Sequence, residues 1–151
     1  EFTVLLGKAE ILKKGFDITV VSYGSTLRLV EKAAIELKNL NIDIEIIDLQ
    51  TLIPFDNEEI VKESLKKTSK LLIVDEDLPG GASSYILQKI LEEQNCFSLL
   101  DSKPVTLTSK AHRPAYGSDG DYFSKPSIDD IIEKANEIMN EYDPNNYPEI
   151  I

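Results

Sequence analysis

Short apolar runs rich in β-branched residues alternate with segments of helical periodicity, and this alternation limits the fold more than any other feature. The runs are DITVVSYG (17–24), IDIEIIDLQTL (42–52), KLLIVDED (70–77) and the shorter KPVTLTS (103–109). Each is typical of a buried strand, and a helical segment separates each from the next. The pattern predicts an α/β protein in which helices cover both faces of a mostly parallel sheet, that is, a three-layer α/β/α sandwich.

The first three helical segments begin near residues that cap helices. In the segment over 25–40, Ser25 or Thr26 is available as the N-cap. In the segment over 56–68, Asp56 is followed three residues later by Glu59, which is the spacing of a capping box. A third helix is predicted over 82–94.

The last predicted helix begins at Ser127, with Asp130 at the third position of a capping box. The preceding stretch, residues 110–126, is polar and broken by Gly and Pro, so it predicts no regular element. The helix itself carries a long apolar stripe that predicts packing on the sheet: Ile128, Ile131, Ile132, Ala135, Ile138, Met139 and Tyr142.

Composition narrows the classes of partner and compartment. The 151 residues suit one domain with a real core, and the formal net charge of −11 disfavours nucleic acid and anionic membranes while it favours a basic partner. No apolar run reaches the length of a membrane span, and no signal peptide is visible. Cys96 is the single cysteine, which agrees with a reducing, cytoplasmic location.

The stretch DEDLPGGASS (75–84) lies where α/β proteins often hold phosphate, between a strand and a helix. It lacks the Lys of a Walker loop and the G-x-G-x-x-G pattern of a dinucleotide motif, and its three acids would repel phosphate. The acids could bind a divalent cation, but they are predicted to be solvated at the edge of the sheet. Gly80 and Gly81, like Gly24 after the first strand, are predicted to shape turns.

The polar stretch 110–126 contains the other candidate residues. His112 is the one histidine and lacks a Ser or Cys nucleophile or a second zinc ligand, so a structural role is favoured over that of a general base. Asp119 and Asp121 lie around a glycine but lack the glutamate that completes a calcium loop. We expect an ordered surface loop whose aromatic residues anchor it to the body or to a partner: Tyr116, Tyr122 and Phe123.

The ends of the chain suggest a part of a larger assembly. The sequence starts EFTVLLGKAEI without Met, and we expect a piece of a longer protein. We predict an interdomain linker or leading strand over 1–16, the domain over 17–142 and a tail over 143–151. An apolar end after a Pro-containing tail would ordinarily fray, so docking on a partner is an open alternative for YPEII: Tyr147, Pro148, Glu149, Ile150 and Ile151.

Several segments together resemble a known family. They are LGKAEILKKGFDITVVSYGSTLRLVEKAA, IDIEIIDLQTLIPFDNEEIVKESLKKTSKLLIVDED and GGASSYI, with KPSIDDIIEKA similar to the last helix. They resemble the carboxy-terminal, transketolase C-terminal-like domain of the β subunit of thiamine-diphosphate-dependent 2-oxo acid dehydrogenases, the pyruvate and branched-chain enzymes. Residues 3–91 match segment by segment. AHRPAYGSDGDYF is similar to the variant in chains where the α and β parts are fused.

The resemblance implies a function for the whole enzyme and a supporting one for this chain. The enzyme would oxidatively decarboxylate a 2-oxo acid and pass the acyl group to a lipoyl acyltransferase core. Thiamine diphosphate and magnesium would be held by other domains, so no catalytic, cofactor-binding or metal-binding residue is expected here, and the chain alone would be inactive. Its expected partners are the remaining domains or the α part, in a homodimer or heterotetramer, and the basic binding domain of the acyltransferase.

A second hypothesis stays open at the level of the sequence. The chain could be a stand-alone α/β module that binds a small ligand or a nucleotide in the crevice at the carboxyl edge of its sheet. A pyrimidine-binding domain encoded upstream of Glu1 would favour the first hypothesis, and its absence would exclude it.

Overall fold

A five-stranded sheet forms the middle layer of the computed structural model, which describes residues 3–113 and 116–150. The spatial order is β1-β3-β2-β4-β5, with β2 to β5 parallel and β1 antiparallel to β3 at one edge. The strands are β1 Glu10–Lys13, β2 Ile18–Ser22, β3 Ile44–Asp48, β4 Leu71–Val74 and β5 Val105–Leu107.

The central strands are buried on both faces, as the continuous apolar runs predict. Every residue of β2 and β4 is buried. Within β2, Val20 contributes to the core on one side of the sheet and Val21 to the core on the other. This is the alternation of side chains along a strand, and it gives the sheet two separate apolar cores.

Helices cover both faces, so the predicted three-layer α/β/α sandwich is confirmed. One core contains residues of α1 and α5, and the other contains residues of α2 and α3. Among the described residues, no helix is long and apolar enough to span a membrane. The helices are α1 Leu27–Asn39, α2 Ile60–Thr68, α3 Ala82–Gln88, α4 Ser118–Ser124 and α5 Ile128–Tyr142.

The helix starts agree with the sequence in one case and differ in another. At α5 the predicted capping box is confirmed, since Ser127 and Asp130 bond reciprocally. At α2 the predicted capping box is wrong, because Glu59 has a left-handed backbone and the helix begins only at Ile60. Asp56 still caps this helix, with its two carboxylate oxygens 3.0 and 2.9 Å from the backbone nitrogens of Ile60 and Val61.

Two segments depart from their predicted regularity. The helix predicted over 82–94 is α-helical only to Gln88 and continues as a π-helical turn over Lys89–Glu93. The prediction that residues 110–126 hold no regular element is wrong, since α4 lies within them. Gly117, with φ of 104°, turns the chain into this helix, and Asp119 and Asp121 in its first turn suit the helix dipole.

Candidate functional site

The crevice between the carboxyl ends of β2 and β4 is where a fold of this kind ordinarily binds a ligand. These strands are neighbours, but the chain leaves β2 towards α1 on one face and leaves β4 towards α3 on the other. Loops that diverge from adjacent parallel strands open a crevice at such a switch point. Whether this chain can bind a ligand there depends on the residues that surround the crevice.

Tyr23 and Asp75 meet across this crevice. The Tyr23 hydroxyl donates to Oδ1 of Asp75 at 2.8 Å, and Asp75 is 1% exposed. Oδ1 also accepts from the backbone N–H of Asp77 at 3.0 Å, while Oδ2 accepts from the N–H of Ser83 at 2.8 Å. One carboxylate therefore connects β2, β4 and the first turn of α3, and we call Tyr23 and Asp75 the crevice pair.

The acids of DEDLPGGASS differ in their surroundings, and the prediction that all of them are solvated is wrong for Asp75. Its carboxylate can be buried because three donors that the fold brings together satisfy its oxygens. The Asp77 carboxylate accepts from the backbone N–H groups of Leu78 and Ala82, so it caps the turn and the helix start. Glu76 is exposed, and a carboxylate oxygen lies 3.4 Å from Nζ of Lys125.

The crevice pair holds its proton on the tyrosine. Burial, followed by the hydrogen bond to Asp75, raises the pKa of the Tyr23 hydroxyl above its ordinary value of 10.0. The hydroxyl therefore stays protonated at neutral pH and donates this hydrogen bond. The pair therefore holds the loops after β2 and β4 together.

Two of the three turn glycines have backbones that disfavour other residues. Gly24 has φ of 63° and Gly80 has φ of 88°, and a Cβ on either would meet nothing within 4 Å. Gly81 is needed for space instead, since a Cβ there would lie 2.1 Å from Oδ2 of Asp77 and 3.0 Å from the Leu78 oxygen. The glycine turn thus lets Asp77 reach the start of α3.

The donor set at this edge does not suit thiamine diphosphate. A diphosphate between β2 and β4 would lie beside the buried Asp75 carboxylate, which already accepts hydrogen bonds from within the chain and whose negative charge would repel it. In the part of the chain that the structure describes, no group of three or more His, Cys, Asp or Glu residues is placed to hold a metal ion. The residues at this edge therefore do not fit the cofactor.

The candidates between residues 110 and 126 lie at the surface. His112 is exposed, with Nδ1 2.9 Å from the Arg113 oxygen and its ring centroid 5.6 Å from that of Phe123. Asp119 and Asp121 are exposed in the first turn of α4.

The loop aromatics are only partly anchored. The Tyr122 hydroxyl donates to Asp129 at 2.6 Å, and Phe123 lies under the Lys110 ammonium at 3.9 Å. Tyr116, Tyr122 and Phe123 nevertheless remain at least 60% exposed.

The tail over 143–150 has a fixed part and an exposed part. The Tyr147 backbone N–H donates to the Asp143 oxygen at 3.0 Å, Asn140 donates to the Tyr147 oxygen at 2.7 Å, and the Tyr147 ring packs on the core. Pro148, Glu149 and Ile150 are exposed. Ile151, the last residue of the candidate partner segment, lies outside the described residues.

The tail borders a shallow acidic cavity against α5. The cavity has a volume of roughly 330 Å³, and Glu149 and Ile150 form one side of it. The other side is formed by residues of α5 that are mostly acidic: Glu133, Asn136, Glu137, Asn140 and Glu141. Four glutamates around one cavity favour a cationic group as its occupant.

A second cavity, of roughly 570 Å³, opens beyond β4 and β5 and was not anticipated from the sequence. Its lining includes the basic residues of the stretch after β5, namely Lys110, His112 and Arg113, together with Lys125. The close spacing of the first three in the sequence was the available indication. Lys125 joins them only through the fold, because the backbone N–H of Lys110 donates to the Ser124 oxygen at 2.9 Å.

Comparison with protein families gives one match over most of the chain. The model described as "Transketolase, C-terminal domain" matches residues 7–125. The chain is 38% identical over 139 residues to the pyruvate dehydrogenase E1 component subunit beta of Mesostigma viride, covering 92% of this chain and 42% of that protein. It is 40% identical over 103 residues to the mitochondrial 2-oxoisovalerate dehydrogenase subunit beta 2 of Arabidopsis thaliana, covering 68% and 28%. The chain thus spans less than half the length of these relatives.

Solved structures agree on the fold. A split-gene transketolase described as an inactive β4 tetramer superposes with a TM-score of 0.70 at 20% identity, over 92% of this chain and 44% of that one. A transketolase variant from Pichia stipitis gives a TM-score of 0.65 at 16% identity, over 91% and 18%. At these identities the likeness supports the architecture alone.

Proposed function

Because the chain belongs to the transketolase C-terminal domain family, we propose that it is the carboxy-terminal dimerisation and assembly domain of a 2-oxo acid dehydrogenase β subunit. The similarity to β subunits of the pyruvate and 2-oxoisovalerate enzymes, at 38% and 40% identity, carries the proposal. The crevice pair supports it, since Tyr23 and Asp75, at the usual ligand crevice of the fold, are hydrogen-bonded to each other.

The whole enzyme is proposed to decarboxylate a 2-oxo acid oxidatively and to transfer the acyl group to a lipoyl acyltransferase core. Thiamine diphosphate and magnesium would be bound by other domains of that enzyme, and this chain alone would be inactive. Isothermal calorimetry with thiamine diphosphate on the isolated chain tests this point. Clear saturable binding would contradict the assignment of the cofactor to other domains.

The proposed partners are the remaining domains or α part of the enzyme, in a homodimer or heterotetramer, and the acyltransferase. The acidic cavity between α5 and the tail supports a basic partner domain, because Glu133, Glu137, Glu141 and Glu149 surround it. A cytoplasmic location is also proposed, since the single cysteine, Cys96, is a buried free thiol.

Truncation after Tyr147 in the full enzyme tests the role of the tail. Tyr147 is retained because it packs on the core, so the truncation removes only the part of the tail beyond it. We expect weaker capture by the acyltransferase core and unchanged decarboxylation of a free 2-oxo acid. Unchanged capture would exclude the tail from the partner surface.

A charge reversal separates electrostatic from apolar contributions at this surface. Glu149→Lys should weaken capture at low salt more than at high salt, because screening reduces the contribution of exposed charges. Glu31→Lys is the matched control, since it makes the same charge change at an exposed position on α1. Equal losses of capture in the two variants would indicate a general effect of net charge and no local contact.

The alternative of a stand-alone ligand-binding module is not favoured. It needs polar groups that are free to bind a ligand at the switch point, and the Asp75 carboxylate there is 1% exposed and accepts hydrogen bonds from within the chain. The presence or absence of a pyrimidine-binding domain upstream of Glu1 in the coding sequence discriminates between the two functions.

A further inference from the structure

Basic side chains are concentrated at the cavity beyond β4 and β5, although the chain is strongly acidic. Lys110, Arg113 and Lys125 line it, although the formal net charge of the chain is −11 and only 16 of its residues are Lys or Arg. His112 lines the same cavity. We call these four residues the basic cluster.

Backbone hydrogen bonds hold the walls of the cavity in place. The N–H of Ser109 donates to the Asp77 oxygen at 3.0 Å, which ties the end of β5 to the loop after β4. The N–H of Lys110 donates to the Ser124 oxygen at 2.9 Å, which ties the next residue to the end of α4. The basic cluster is therefore mounted on a braced loop between a strand end and a helix end.

Most of the cations in the cluster are not neutralised within the chain. Among the described residues, Lys110 and Arg113 form no ion pair, and each lies over an aromatic ring, at 3.9 Å for Lys110 and Phe123 and 5.2 Å for Arg113 and Tyr116. Lys125 lies 3.4 Å from a carboxylate oxygen of Glu76, in a pair whose side chains are both more than 40% exposed.

The acids at the cavity do not cancel this charge. The Asp77 carboxylate is occupied by the backbone N–H groups of Leu78 and Ala82. Glu76 and Asp121 both pair with Lys125, at 3.4 and 3.8 Å, and both side chains are exposed to solvent.

A buried hydroxyl in the cavity wall lacks a partner. Ser124 lines the cavity and is 3% exposed, and its Oγ has no hydrogen-bond partner among the described residues. The Oγ atom itself has less than 1 Å² of accessible surface, so a ligand in the cavity would be held by the cations and not by this hydroxyl. Leu78 and Ala111 supply apolar lining, as in most small-molecule sites.

We propose that this cavity binds the phosphate group of a small molecule. Three cations on a braced backbone suit a dianion with several acceptor oxygens better than a single carboxylate, because each cation can reach a different oxygen. The volume of roughly 570 Å³ leaves room for an organic group attached to the phosphate. The site is separate from the crevice pair and does not depend on the proposed assembly role.

Equilibrium dialysis with inorganic phosphate in low-salt buffer tests the proposal on the full-length protein. The protein is saturated with thiamine diphosphate beforehand, so that a diphosphate site elsewhere does not contribute. We expect one weak, saturable phosphate site per chain that Arg113→Ala and Lys125→Ala each weaken about tenfold, since each removes a charged donor. Lys103→Ala is the control, because Lys103 is exposed and precedes β5. It lies at the amino end of this strand, whereas the cavity lies beyond the carboxyl end.

A variant that binds phosphate more tightly than the unmodified protein serves as a second test, because misfolding cannot produce tighter binding. Glu76→Gln removes a competing carboxylate while it keeps the side-chain shape, so it should tighten phosphate binding about threefold. Equal affinities in Arg113→Ala, Lys103→Ala and the unmodified protein would overturn the proposal. Acetate that competes for the site as strongly as phosphate would overturn the assignment to a phosphate group.

Discussion

The crevice pair and the basic cluster lie at the same edge of one sheet, yet the fold treats them in opposite ways. At the crevice, a buried carboxylate accepts hydrogen bonds from Tyr23, Asp77 and Ser83, so it is satisfied within the chain. At the cavity, Lys110 and Arg113 lie over aromatic rings and the Ser124 hydroxyl has no partner among the described residues. In the first region the polar groups stabilise the fold, while in the second the cations remain available to a ligand.

The largest effect that would sharpen this comparison is expected from Asp75→Ala. The change leaves three donors without their acceptor in a buried position, which should lower the free energy of unfolding by about 3 kcal/mol. Chemical denaturation followed by circular dichroism measures it. Glu76→Ala is the control, since the neighbouring carboxylate is exposed and its loss should change stability by less than about 0.5 kcal/mol. Similar losses in the two variants would contradict the structural role of Asp75.

The glycine turn provides the second comparison. Gly81→Ala should cost about 2 kcal/mol, because its Cβ would displace the Asp77 carboxylate from the start of α3. Gly80→Ala should cost about 1 kcal/mol, from the left-handed backbone alone. The two glycines are adjacent, so thermal denaturation of the pair separates crowding from backbone strain. A larger loss at Gly80 would mean that the turn, and not the Asp77 cap, limits stability.

The layers of the fold were predictable because hydrophobic periodicity is a local property. Strand and helix spacing, together with the Ser127 and Asp130 capping box, indicate the sandwich without knowledge of any distant contact. The helix within residues 110–126 escaped prediction because a seven-residue helix has too few apolar positions for a visible period.

The candidate sites were less predictable because they depend on strand order. Tyr23 and Asp75 are 52 residues apart and meet only because β2 and β4 are neighbours in the sheet. A run of three acids therefore gave no indication that Asp75 is buried while Glu76 is exposed. Similarly, the basic cluster forms only when the end of α4 bonds to the residue after Ser109.

A smaller effect is expected from Tyr23→Phe, and its dependence on pH tests the crevice pair directly. Loss of the hydroxyl should lower the free energy of unfolding by about 1 kcal/mol near neutral pH. The folded tyrosine has a raised pKa, so its contribution is complete below the unfolded value of 10.0 and declines as the pH rises above it. The two proteins should therefore converge in stability under alkaline conditions. A difference that grows above that pH would show that the pKa is not raised.

The smallest effect is expected from Lys125→Ala, and it separates the two regions most directly. Lys125 lies 3.4 Å from Glu76 and 3.8 Å from Asp121, but all three side chains are more than 40% exposed. Exposed ion pairs contribute little because water and salt screen them, so the free energy of unfolding should change by less than about 0.5 kcal/mol. Chemical denaturation at low and high salt measures this. A loss of stability as large as that of Tyr23→Phe would mean that Lys125 serves the fold, as the crevice pair does. Its charge would then not be available to a ligand in the cavity.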